Sequence, residues 1–242
     1  MIKAKKISFS YGDRKILDNV SMELKDGETT VIIGPSGSGK TTLLKALTLL
    51  EQPQIGSIEI DNEKTIFPLT ENQKLPHPYP KITVSFQQQF LWPHLTLKEN
   101  ILLPAENIVH KKGEFTLAKL TKLFQMEEFI DRYPNEASLG QRQRVALARA
   151  LITNPKYLFL DEITTFLDVK QVATILNIIK KLKERGIAIF MITHAMHFAM
   201  ETADQVIFFD EGKIIEKGSS LILKNPKTKE LKTFISYIQK AS

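Results

Sequence analysis

Apolar and polar residues alternate in the first two dozen positions, as in Lys5–Ile7–Phe9 and Val20–Met22–Leu24, with turn signals at Gly12-Asp13 and Asp26-Gly27. A period of two predicts short antiparallel strands at the N-terminus. The run 29–33 is different: five residues rich in β-branched side chains with no alternation, the mark of a strand covered on both faces in a parallel sheet. A glycine-rich turn follows, then a helical apolar pattern over 41–50, which together open a βαβ unit. Pro68, Pro76, Pro78 and Pro80 break any regular pattern and predict a loop-rich connection over 61–81. From about 97 to 150 the spacing turns helical, through Leu117, Leu120, Leu123 and Phe124 and then Val145, Leu147 and Ala148. Strand-like runs return at 157–160, 187–192 and 206–209, with a helix over 172–185 between the first two. This order predicts an α/β fold: a mostly parallel sheet, antiparallel β strands at the N-terminus and an inserted helical subdomain. One domain over 1–242 is expected, with a core of 1–90 and 151–218, a helical subdomain of about 91–150 and a tail of 219–242.

The turn after the first buried strand reads Gly34-Pro35-Ser36-Gly37-Ser38-Gly39-Lys40-Thr41, followed by Thr42. This is a GxxxxGK[ST] phosphate loop, so the α/β fold is expected to be a P-loop NTPase core. Phosphate needs several N–H donors converging on one point, and glycines let the backbone bend that closely. The next helix adds the positive end of its dipole, Lys40 a charge for the β- and γ-phosphates, and Thr41 a hydroxyl for Mg2+. Average residue usage produces the pattern by chance on the order of once in a hundred chains of this length. The flanking strand and helix make chance rarer still.

A second element narrows the chemistry. The apolar run 157–160 ends in Asp161-Glu162. A carboxylate there sits at the C-terminal edge of a parallel sheet, beside the phosphate loop, where Asp161 can hold Mg2+. Glu162, next along, is placed to orient or deprotonate a water.

Composition removes alternatives more than it adds any. The chain has no cysteine, so disulfides, thiolate zinc, iron–sulfur clusters and thiol nucleophiles are excluded. Lys and Arg outnumber Asp and Glu 33 to 27, a surplus spread along the chain rather than gathered in a basic tail, and no nucleic-acid partner is expected. The first residues lack the apolar stretch of a signal peptide, and the run 187–192 is far shorter than the roughly 18 residues of a membrane span.

From Ile2 to about Gly218 the sequence resembles the ATP-binding subunits of ABC transporters. The runs GPSGSGKTTLL, PHLTLKEN and THAMHFA make it most similar to the importers of polar amino acids. The resemblance implies ATP and Mg2+ as ligands. Tyr11 falls where the family stacks an aromatic on adenine. Gln87 matches the glutamine that senses Mg2+ and water, His194 the switch histidine at the γ-phosphate, and Asp168 a loop that crosses the dimer interface. His194 and His197 stand three apart, but no third ligand is evident, so no metal site is expected there. The family signature, LSGGQ, reads here Ala137-Ser138-Leu139-Gly140-Gln141, and it acts on the nucleotide of a partner.

One phosphate loop and one signature per chain imply a head-to-tail dimer, most simply a homodimer, with ATP sandwiched between subunits. Separate integral membrane permease subunits, and a substrate-binding protein, would complete the machine, with this chain peripheral on the cytoplasmic side of the membrane. Two positions depart from the pattern: Leu139 replaces a glycine, and Ile163 stands where proline is usual. If position 139 required a positive φ, leucine there would cost on the order of 1 kcal/mol or more. The departures carry a second expectation, an ATP-binding regulatory or hetero-paired subunit with weak hydrolysis. A DNA-repair ATPase would need a long coiled coil between Gln87 and Ser138, and a GTPase an Asn-Lys-x-Asp motif; neither occurs.

Overall fold

The computed structural model describes residues 1–106, 115–165 and 167–241. Strand β1 (Ile2–Tyr11) pairs antiparallel with β2 (Arg14–Leu24), and the hairpin closes with Tyr11 opposite Arg14. Strand β3 (Thr29–Ile33) leads through the phosphate loop into helix α1 (Lys40–Leu47). Strands β4 (Ile55–Ile60) and β5 (Glu63–Phe67) form a second hairpin, and β6 (Ile82–Ser85) follows. Helices α2 (Leu97–Glu106), α3 (Leu117–Leu123) and α4 (Leu139–Leu151) occupy the predicted helical stretch, of which 107–114 lies outside the described residues. The chain then alternates through β7 (Tyr157–Asp161), α5 (Val169–Glu184), β8 (Ala188–Ile192), α6 (Met196–Thr202), β9 (Gln205–Asp210), β10 (Lys213–Gly218) and α7 (Lys229–Ala241).

Two sheets result. The N-terminal one has the order β2-β1-β4-β5 and is antiparallel; the central one has the order β10-β9-β3-β8-β7-β6 and is parallel apart from the edge strand β10. Every residue of β3, β7 and β8 is buried, because both faces of the sheet are covered. Successive residues therefore enter different cores. Val31, Ile33, Leu158, Leu160, Ile189 and Met191 pack toward α4, α5 and α6. Their neighbours Ile32, Tyr157, Phe159, Phe190 and Ile192 pack toward α1 and the N-terminal sheet. Each buried aliphatic side chain is worth roughly 1.5–3 kcal/mol relative to exposure, so a one-residue slip in these strands would disrupt both cores.

Two local expectations need correction. The span 61–81 is not all loop: it begins with β5, an edge strand with Phe67 its one buried residue, so its apolar pattern is faint. What makes the hairpin is its turn, where Asp61 takes a left-handed φ of 55°. Helix α1 stops at Leu47 rather than continuing to residue 50, since Leu49 is left-handed with φ 57°.

Charged groups tie the two sheets together where β6 and β7 begin. Lys156 Nζ contacts Asp61 Oδ1 at 2.6 Å and Asp26 Oδ2 at 3.0 Å, Lys81 Nζ reaches Asp61 Oδ2 at 3.2 Å, and the Tyr157 hydroxyl donates to Asp61. Burial opposes ionisation of Asp61, yet the hydrogen bonds from Lys156 and Tyr157 outweigh it and hold its carboxyl well below the usual carboxylate range. A depressed carboxylate stabilises the fold above its unfolded value near 4 and loses that contribution as the pH falls toward the folded value. Thermal midpoints followed by circular dichroism should hold between pH 5 and 8 and fall below about pH 4. Asp61→Asn should blunt the acid decline.

The tail is docked. The buried Glu216 carboxylate accepts from the backbone N–H groups of Lys227 and Thr228 and from the Thr228 hydroxyl, at 2.7–3.2 Å, just before α7. Lys224, Lys227, Lys229 and Lys232 are exposed, as a solvated face should be. No described helix is long and apolar enough to cross a membrane.

Candidate nucleotide-binding site

The loop between β3 and α1 is wedged between two strands, and its glycines are what fit there. A Cβ on Gly34 would lie 1.9 Å from the Phe209 carbonyl oxygen, and one on Gly39 2.8 Å from that of Ile16. Both residues also have positive φ, 153° and 103°. The turn between β9 and β10 braces the other side, where Gly212 N–H donates to the Ser38 carbonyl at 3.0 Å. Facing outward, Gly37 meets nothing within 4 Å. Beside it opens a recess of about 330 Å³ lined by Arg14, Ile16, Gly39, Lys40, Thr41, Thr42 and Glu162, with Ser36 and Gly37 at its edge.

Lys40 is folded back onto its own loop. Its ammonium donates to the carbonyls of Gly34 at 3.0 Å and Pro35 at 2.6 Å and approaches Ser38 Oγ at 3.5 Å. Burial pushes its pKa down, against the pull of Glu162, Asp161 and Asp210. Thr41 Oγ1 donates to Asp161 Oδ2 at 3.0 Å. Asp161 is 6% exposed, and burial raises its carboxyl while the Thr41 hydrogen bond works the other way. A carboxylate and a hydroxyl side by side form a hard-oxygen pair. That suits Mg2+, which takes one or two protein oxygens and completes its shell with water and phosphate.

Glu162 leaves β7 with a left-handed φ of 50°, its N–H donating to the Ile192 carbonyl at 3.0 Å. This turn carries its carboxylate toward His194, and Oε1 lies 2.9 Å from the imidazole Nε2. Residues 32 apart in sequence meet because β7 and β8 are neighbours in the sheet.

The remaining expected residues are held by partners of their own, and none of the signature residues or Asp168 lines this recess. Tyr11 is exposed, its ring edge-on to Phe9 at 4.8 Å, and its hydroxyl donates to Glu51, which Lys45 also holds at 2.8 Å. Gln87 is exposed two residues beyond β6. Ser138 caps α4: its Oγ accepts from Gln141 N–H while the Gln141 side chain accepts from Ser138 N–H. Leu139 is the first residue of α4, with right-handed backbone and an exposed side chain, so it meets no positive-φ requirement here. Gly140 is buried against Gln171 of α5. Asp168 caps α5 through Gln171 N–H at 2.8 Å; its neighbour Phe166 lies outside the described residues. Ile163 is buried in the core.

Sequence reasoning missed Arg14, Ile16 and the turn Asp210–Gly212. Arg14 had a signal, since it stands opposite Tyr11 across the Gly12-Asp13 turn. The other two reach the loop only through sheet topology.

Residues 17–165 match the family model described as ABC transporter. The chain is 37% identical to the arginine transport ATP-binding protein ArtP of Haemophilus influenzae, over 98% of this chain and 99% of the relative. It is 38% identical to the arginine transport ATP-binding protein ArtM of Bacillus subtilis, over 98% and 100%. The solved dimeric, post-hydrolysis state of the ATP-binding cassette MJ0796 bound to ADP and Pi aligns with a TM-score of 0.77 at 32% identity, covering 91% of this chain and 99% of that one. Whole-length relatives and a matching fold, over a phosphate loop built as described, lead to one conclusion: this chain belongs to the ABC transporter family, as one of its ATP-hydrolysing cassettes.

Proposed function

We propose that the chain powers the import of a polar amino acid by hydrolysing ATP as one half of a head-to-tail homodimer. The observation that carries the chemistry is the Glu162–His194 pair, 2.9 Å apart beside Lys40 and the Thr41–Asp161 oxygens. Glu162 accepts the proton of the attacking water, His194 orients that carboxylate, and Lys40 exchanges its loop carbonyls for phosphate oxygens. Thr41, Asp161 and Gln87 would hold Mg2+, which would supply charge neutralisation for the phosphates. Tyr11 provides the face on which adenine stacks, and Ser138, Leu139, Gly140 and Gln141 close over the nucleotide of the partner subunit, with Asp168 at the subunit boundary.

The solute itself is chosen elsewhere, by permease subunits and a substrate-binding protein, and likeness to two arginine transport proteins supports the polar amino acid class. An apolar groove of about 420 Å³ runs beside Phe86, lined by Leu50, Tyr79, Trp92 and Leu103 among others. Leu50, Tyr79 and Trp92 are more than half exposed there, and a permease segment is the partner we assign to it. On this reading the chain sits peripherally on the cytoplasmic face of the membrane, against its permease.

Steady-state ATPase activity of the purified chain, measured over a range of protein concentrations, tests the dimer. Activity rising faster than linearly is expected; strictly linear activity from a chain that stays monomeric on gel filtration with ATP would mean each chain works alone. The regulatory reading draws no support from Leu139, whose backbone is already helical. Leu139→Gly should therefore leave turnover within about threefold. It should lower the thermal midpoint slightly, glycine costing up to about 1 kcal/mol in a helix. A rise of tenfold or more would show that leucine obstructs the site.

A further inference from the structure

The stretch after Gln87 is fastened to the helices, not to the sheet from which it emerges. Arg149, near the end of α4, donates through both guanidinium nitrogens: Nη2 to the Gln89 carbonyl at 2.6 Å and Nη1 to the Phe90 carbonyl at 2.7 Å. Burial lowers its pKa, and the guanidinium stays charged regardless. A second tie lies beside the first, where Gln89 Nε2 donates to Oε1 of the buried Gln143, also on α4, at 3.0 Å. Phe90, at this anchor, has a left-handed φ of 45°. Farther along, the fully buried Asn100 of α2 grips the same strand of chain. Its Oδ1 accepts from Trp92 N–H at 2.7 Å, and its Nδ2 donates to the carbonyls of Trp92, Leu95 and Thr96 at 2.9–3.1 Å.

On the other side, β6 is hydrogen-bonded into the central sheet as far as Ser85. Between the two attachments stand Phe86, Gln87 and Gln88, the last two exposed. We propose that Arg149 and the Gln89–Gln143 pair form a clamp that makes residues 89–92 part of the helical layer. Any rotation of α4, the helix that starts at the signature, then moves Gln87 relative to Asp161. Arg149, Gln143 and Gln89 are positioning residues for Gln87. The proposal rests on the reading of Gln87 as the residue that closes on the metal.

Trp92 is the single tryptophan of the chain and sits inside the clamped stretch, so its fluorescence anisotropy reports the clamp without reference to activity. The full-length protein is compared with Arg149→Met, which keeps the stem but removes both donors, and with Gln89→Met, a partly exposed position whose change leaves α4 intact. Both variants should add a fast local component to the Trp92 anisotropy decay. Both should lower kcat at least about tenfold while the Kd for ATP shifts less than twofold, because misplacing an orienting group costs rate before binding. Arg149→Lys, with one compact donor, should recover only part of the rate. Combined with Gln87→Ala, each should lose little more than Gln87→Ala alone.

Because Asn100 also holds Trp92, unchanged Trp92 motion together with unchanged amide exchange at Gln89 and Phe90 in both variants would overturn the clamp. Freed Trp92 with unchanged turnover would overturn the link to Gln87 and leave the clamp standing. A Gln87→Ala variant that turns over normally would overturn the reading of Gln87 itself, whatever Trp92 does.

Discussion

Replacing Glu162 by glutamine should lower steady-state phosphate release at least a hundredfold and leave ATP bound in a long-lived dimer. The substitution keeps the shape and the oxygen that faces His194 Nε2 at 2.9 Å, so the local hydrogen bond and the left-handed turn survive. What disappears is the ability to take a proton, and general-base catalysis contributes typically 10²–10⁴ in rate. Binding should be spared, since Lys40, Thr41 and the loop amides are untouched. Gel filtration with ATP present should show a dimer for Glu162→Gln and a concentration-dependent mixture for the parent chain. A variant that kept a tenth of the parent rate would place the base elsewhere. One that stayed monomeric with ATP would remove the sandwich from the mechanism.

Asp161→Asn should separate stability from function in opposite directions. Asp161 is almost fully buried, and burial raises its carboxyl above the usual range despite the Thr41 hydrogen bond. A raised carboxylate binds its proton more tightly folded than unfolded, so at neutral pH its ionised form destabilises the nucleotide-free chain. That penalty fades as the pH drops through the folded value. Asparagine removes the charge, keeps an oxygen for the Thr41 hydroxyl, and should raise the thermal midpoint of the nucleotide-free protein at pH 7–8. The same change removes the anionic carboxylate that accepts from Thr41, and Mg2+-dependent hydrolysis should fall at least a hundredfold. Scanning calorimetry with and without ATP and Mg2+ provides the check. The parent should gain far more from the ligands than the variant does, and equal gains would mean that Asp161 holds no metal.

The parts of the site that could be read from the sequence are those whose information is contiguous. The glycines from Gly34 to Gly39 and the pair Asp161-Glu162 are local motifs on predictable strands, and the all-buried runs 29–33 and 157–160 announce the sheet that presents them. His194 was identifiable by resemblance, but its contact with Glu162 depends on β7 and β8 being neighbours, which periodicity does not encode. The hairpin of β4 and β5 escaped because an edge strand with one buried residue leaves almost no apolar period. Leu139 is a different case. The family pattern raised the question of a positive φ there, and the capping pair Ser138 and Gln141 places that residue in an ordinary helical turn. Arg149 reads as one more basic residue on a helix, and its two backbone acceptors lie about sixty positions away.

The cluster of Asp26, Asp61, Lys81, Lys156 and Tyr157 sits where β7 begins, and Asp161 sits where it ends. Five strand residues at about 3.3 Å each put more than 10 Å between them. The two sheets are thus joined at both ends, for at the mouth Asp18 of β2 donates its N–H to the Gly212 carbonyl at 2.9 Å and holds Lys213 Nζ of β10 at 3.2 Å. The phosphate loop lies at that second joint, between Ile16 of one sheet and Phe209 of the other. A nucleotide entering there meets a loop gripped by both sheets, so its grip on phosphate bears on both layers at once.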